Sequence, residues 1–96
     1  MSKRKRAMTL SFPNPSRSFD ATKSRVRFWG YDSAIEISFF LETGALRKLS
    51  PESSGTETGI LDAFDAARER IYEVAETMYL RSRKTSCAYV LSAEDF

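Results

Sequence analysis

The chain predicts an α+β domain of two layers, a mostly antiparallel sheet covered by helices. Three observations carry that expectation. The stretch RVRFWGYDSAIEISFF, residues 25–40, holds two alternating apolar runs around the turn-like GYDS. From about residue 59 to 82, apolar residues recur every three and four positions. A last alternating run, TSCAYVLS, follows. The expected sheet joins an N-terminal strand, the central hairpin and a C-terminal strand, under one long and one short helix.

Taken in order, MSKRKRA at residues 1–7 is basic and aperiodic, and reads as a disordered tail ahead of a single domain over 8–96. Met8 offers an alternative start, which would make the tail an optional extension. MTLSF alternates Met8, Leu10 and Phe12 against Thr9 and Ser11, as a first strand does. PNPSRSFDATKS reads as a loop, with Phe19 expected to pin it to the core.

In the hairpin, Val26, Phe28, Ile35, Ile37 and Phe39 share one face. With Tyr31 and Asp32 as the loop, Phe28 faces Ile35, Val26 faces Ile37 and Arg27 faces Glu36. Apolar then meets apolar on one side and cation meets anion on the other. A three- or four-residue turn through Gly30 is the alternative.

LETGALRKLS predicts a short helix from about Glu42, with Leu41, Ala45, Leu46 and Leu49 on one side, although Gly44 costs it about 1 kcal/mol relative to alanine. PESSGTETG reads as a linker, with Thr58 as N-cap of the next helix and Asp62 in its first turn. That helix presents Ile60, Phe64, Ala67, Ile71, Val74, Ala75 and Met78 on one face, with Asp62, Asp65, Glu69, Glu73 and Glu76 opposite and Arg68 and Arg70 flanking them. Arg81, Arg83 and Lys84 favour its C-terminal end. The final strand sets Cys87, Tyr89 and Leu91 against Ala88 and Val90.

The segments VRFWGYD, ETGALRKL, DAFDAARERIYEVA and YVLSAEDF, in that order, resemble the small bacterial family catalogued as domain of unknown function 1488. The resemblance covers about residues 8–96. It implies a small bacterial α+β protein with no established activity and supplies no catalytic residues.

Composition narrows the function. Ninety-six residues, 42% of them hydrophobic, suffice for one domain with a modest core. The sole cysteine, Cys87, excludes an internal disulfide and a cysteine-built zinc site, and it reads as a packed small hydrophobe despite Arg83 and Lys84 nearby. Histidine, the commonest acid-base group near neutral pH, is absent. The glycines at 30, 44, 55 and 59 are too scattered for a nucleotide loop. The expectation is a protein that is not an enzyme, with no cofactor, no metal and no small-molecule substrate. No run approaches the roughly 20 apolar residues of a membrane span, and the basic start lacks the apolar core of a secretory signal. A cytoplasmic location without a membrane partner is therefore expected.

The net charge of +2 conceals an asymmetry: residues 1–30 carry +7 and residues 31–80 carry −6. Arg25, Arg27 and Trp29 share the parity that faces away from Val26 and Phe28, and with Glu36 they form the candidate interaction surface. One reading is a small accessory or regulatory protein-interaction module, forming a homodimer or binding another protein through a sheet edge or the outer face around Trp29. The other is nucleic-acid binding, with phosphates meeting Arg25 and Arg27, a base stacking on Trp29 and the tail KRKR adding a nonspecific attraction. The plainer reading is that Arg27 pairs with Glu36 and Trp29 is covered. The stripe Asp62, Asp65, Glu69, Glu73 and Glu76 reads as a solvated face and secondarily as a docking surface for a basic partner. Its spacing on a convex helix does not surround a metal ion.

Overall fold

The computed structural model describes residues 10–13, 15–51, 54–82 and 85–96. Strands β1 (Arg17–Asp20), β2 (Arg25–Asp32) and β3 (Ile35–Glu42) follow one another as an antiparallel meander. Three helices, α1 (Thr43–Leu49), α2 (Glu57–Ala66) and α3 (Arg68–Arg81), then carry the chain to β4 (Ala88–Leu91). A single 3-10 turn, Ala93–Asp95, follows. The sheet order is β1-β2-β3-β4, and β4 lies parallel to β3 because the helices carry the chain back before it joins. The architecture is the two-layer, mostly antiparallel α+β domain that the patterning predicts, with three helices where two were expected. Among the described residues no helix is long and apolar enough to cross a membrane.

One sheet face makes the core. Val26, Phe28, Ile37, Phe39, Leu41 and Leu91 point inward and are fully or almost fully buried against Leu46, Phe64, Ile71 and Ala75 of the helices. The rings of Phe28 and Phe39, direct cross-strand partners, lie 5.3 Å apart, and Phe64 descends from α2 to 5.2 Å from Phe28. Burying such aromatics is what holds the helical layer to the sheet, each contributing on the order of 1.5–3 kcal/mol.

Of the expected first strand, only Leu10, Ser11 and Phe12 are described, and they form no strand. Met8, Thr9 and the basic tail lie outside the described residues, and Ser11 makes one isolated bridge to Tyr31 through two 2.8 Å backbone bonds. Among the described residues the first strand is β1, inside the segment read as a loop. It pairs Phe19 with Val26 and Asp20 with Arg25, and the Asp20 carboxylate accepts from the amides of Thr22 and Lys23 at 3.1 and 3.3 Å to shape the turn. Phe19 packs on the core as expected.

The hairpin turns at Ser33–Ala34, with Ser33 in the left-handed region at φ 57°, beyond the expected Tyr31–Asp32 loop. Phe28 consequently faces Phe39, Val26 faces Leu41 and Arg27 faces Phe40. The register is four residues from the expected one, an even number, so each side chain keeps its predicted face. Gly30 serves the strand and not a turn. A Cβ there would lie 2.7 Å from the Ser11 carbonyl oxygen and 2.8 Å from the Phe12 ring, so the N-terminal segment approaches the sheet only over glycine.

The long helix is broken. Ala67 has φ −105° and ψ 14° between α2 and α3, and its amide is shared between the carbonyls of Ala63 and Phe64 at 3.1 Å each. Nothing in DAARER marks a break, since alanine, arginine and glutamate all favour helix; the bend lets Phe64 and Ile71 both reach the sheet. The N-cap is Thr56 and not Thr58: its hydroxyl accepts from the Gly59 amide at 3.1 Å, and Glu57, in place of Asp62, occupies the first turn.

Candidate functional site

The three helices pack on the face of Val26 and Phe28, and among the described residues no helix covers the opposite face of the sheet. The pleat sends alternate residues there. Arg25, Arg27 and Trp29 from β2, Glu36, Ser38 and Phe40 from β3, and Ala88 and Val90 from β4 share this outer side. One row across the sheet runs Ser18, Arg27, Phe40, Val90, and the next runs Trp29, Ser38, Ala88. Val90 is 47% exposed, whereas Trp29 and Phe40 are half-buried.

The arginines account for that partial cover. Arg27 stacks its guanidinium 4.5 Å from the Trp29 ring centre, donates to Glu36 Oε2 at 2.9 Å and donates to Ser38 Oγ at 3.2 Å. The predicted Arg27–Glu36 pair thus forms although Glu36 stands opposite Tyr31, because arginine reaches along the face past Trp29. Arg25 lies 4.0 Å over the Phe40 ring, with Nε 3.5 Å from Asp20 Oδ2. Each cation therefore has one carboxylate and one ring as neighbours. All four residues expected at this surface are brought together. Phe40 and Ser38 were missed, although the alternation of IEISFFLE places them beside Glu36.

The acidic stripe does not survive as one face. The break at Ala67 separates Asp62 and Asp65 on α2 from Glu69, Glu73 and Glu76 on α3. Asp65 is engaged by Arg17 and Arg68, Glu73 by Arg70, and Glu76 is buried, 5% exposed. Asp62, Asp65, Glu69 and Glu73 are all exposed, as a solvated face requires. Among the described residues no histidine, cysteine and carboxylate group is gathered as a metal site would require. A wide depression of about 710 Å³ beside α3 carries Arg70, Arg81, Glu73, Glu76 and Glu94, charges of both signs. Cys87, expected to be packed, is exposed, because β4 begins one residue later.

These features define a small two-layer α+β domain with one sheet face lined by arginine-covered aromatics. The chain belongs to the family described as protein of unknown function (DUF1488), whose family model matches residues 10–91. It is similar in fold to a protein of unknown function from the DUF1488 family of Shewanella loihica PV-4, known from a crystal structure. The TM-score is 0.78 at 17% sequence identity, covering 91% of this chain and 96% of that one. No curated protein matches the chain.

Proposed function

We propose that this protein is a non-enzymatic interaction module, an accessory or regulatory protein that docks through the outer face of its sheet. The observation that carries the reading is the composition of that face. Trp29, Phe40 and Val90 lie on adjacent rows, and Arg25 and Arg27 are stacked on two of them. Tryptophan, other aromatics and arginine are the residues that dominate protein interfaces. A bacterial cytoplasmic setting belongs to the same proposal, and the exposed thiol of Cys87 suits a reducing compartment.

The nucleic-acid reading has less to support it. Arg25 and Arg27 each already face a carboxylate, Asp20 and Glu36, which phosphates would have to displace. Saturable, salt-sensitive oligonucleotide binding that disappears in Trp29→Ala would transfer the face to that reading.

The test is photo-crosslinking in cells with a benzophenone amino acid at position 90, compared with position 80. Both native residues are exposed and apolar, but Leu80 lies on α3, away from the face. Adducts at position 90 are expected. Adducts at neither position, or at 80 alone, would remove the docking role.

A further inference from the structure

We infer that the occupant of the outer face is a second copy of this same chain, packed sheet against sheet about a two-fold axis. The inference rests on the docking role of that face. Its first ground is charge. A surface that meets its own copy meets its own ions, and unpaired like charges would repel. Here Arg25 is matched by Asp20 and Arg27 by Glu36 within the face itself, and Glu42 at the end of β3 adds one further carboxylate, so two copies bring little charge of one sign together.

The second ground is layout. The ionic pairs involve β1, β2 and the hairpin end of β3, whereas Phe40, Ala88 and Val90 lie on β3 and β4. With the axis near Val90, Ala88 and Val90 of both copies meet at the centre beside Phe40 under its Arg25 cover, and the Arg27–Glu36 pair lies toward the rim.

The third ground is that the neighbouring sheet edge is partly closed. The Ser38 amide donates to the Cys87 carbonyl at 2.8 Å, and this parallel pairing turns the amide groups of Ala88 and Val90 toward the open side of β4. At Ala88 those groups are taken. Its N–H donates to Ser86 Oγ at 3.2 Å, and the Ser86 hydroxyl donates back to its carbonyl at 3.0 Å. A strand added along β4 would have to displace Ser86, and β1 is only four residues long. Contact between copies is thereby directed to the face.

Area sets the strength. The four strands have four, eight, eight and four residues, and at about 4.8 Å by 3.3 Å per residue they give a face of roughly 380 Å² per copy and about 760 Å² in all. That is below the roughly 1,000 Å² of a stable specific interface and corresponds to a weak, reversible dimer that forms only at high concentration.

Sedimentation equilibrium of the full chain from micromolar to millimolar concentration tests the inference. The expected result is a monomer–dimer equilibrium that changes little with salt, is weakened about tenfold or more by Val90→Lys, and is unchanged by Leu80→Lys. Both substitutions are at exposed positions and leave the core intact. A monomer throughout, or a dimer indifferent to Val90→Lys, overturns it. If a monomer is found while the position-90 probe traps a different protein, the docking face stands and self-association alone falls; a monomer with no adduct removes both.

Discussion

Arg17 grips Asp65 through two parallel bonds, Nε to Oδ1 at 2.9 Å and a terminal nitrogen to Oδ2 at 2.8 Å, and so ties the edge strand β1 to helix α2. The bond from Arg17 holds the Asp65 carboxyl below its ordinary value of 3.8; partial burial opposes this and Arg68 reinforces it. A folded-state value below the unfolded one means that the stabilisation is complete above pH 3.8 and is lost as the pH falls through the folded value. The two side chains are 28% and 40% exposed, which limits the pair to about 1 kcal/mol or less. Asp65→Asn should therefore lower stability modestly at neutral pH, with the gap from the parent closing in acid. Urea unfolding across pH checks this, and a gap that stays constant well below 3.8 would contradict it.

Tyr79 gives the opposite sign at the other end of the pH scale. Its hydroxyl donates to Asp32 Oδ2 at 2.6 Å while the residue is 3% exposed. Burial, with Asp32 adding to it, pushes the phenol from 10.0 up to about 12. Its contribution is complete below pH 10.0 and is lost as the pH rises toward about 12. Tyr79→Phe should cost about 1.5 kcal/mol at neutral pH, the scale of a hydrogen bond to a charged acceptor, and should flatten the alkaline decline. Denaturant midpoints of parent and variant, measured from neutral to strongly alkaline pH, decide the matter.

Gly30→Ala should destabilise by about 1–3 kcal/mol, the range for overpacking. The added methyl meets the Ser11 backbone, which cannot swing aside as a side chain would. The expected spectroscopic mark is loss of the stacked contact between Phe12 and Tyr72, whose rings lie 3.9 Å apart at 4°. Nuclear Overhauser contacts between these rings report it directly, and their survival at full stability would refute the account.

Two threonines two residues apart offer a paired comparison. Thr56→Ala removes the hydroxyl that caps α2 and should cost about 1 kcal/mol. Thr58→Ala, at the position the linker pattern singled out, lies inside the first turn and should be close to neutral. Thermal unfolding of both variants separates the assignments, and equal losses would show that neither threonine is a specific cap.

The side of the sheet on which a residue falls was legible because period-two alternation survives an even slip. Arg25, Arg27, Trp29 and Glu36 therefore reach the predicted face although the turn is misplaced, and arginine's length restores the ion pair. What was not legible depends on contacts distant in sequence. RSFD becomes a strand because β2 offers it a partner, against its loop-like surroundings. The bend at Ala67 has no local breaker; Ile71 and Ala75 beyond it keep the predicted core face, whereas Glu76, placed outside by extrapolation from Asp62, is buried. Phe40 was overlooked because a phenylalanine beside another in FF reads as core before it reads as surface.

The parallel seam between β3 and β4 has a kinetic consequence. Ser38 and Ala88 are neighbours across it although fifty positions separate them along the chain, whereas β1, β2 and β3 are joined by short turns. Closing a long loop costs entropy before its contacts repay it, so the meander can assemble early and β4 must come late. Until then Phe39 and Leu41 lack the Tyr89 and Leu91 neighbours that complete their side of the sheet. Amides in that four-residue strand should therefore gain protection from hydrogen exchange after those of Val26 and Phe28.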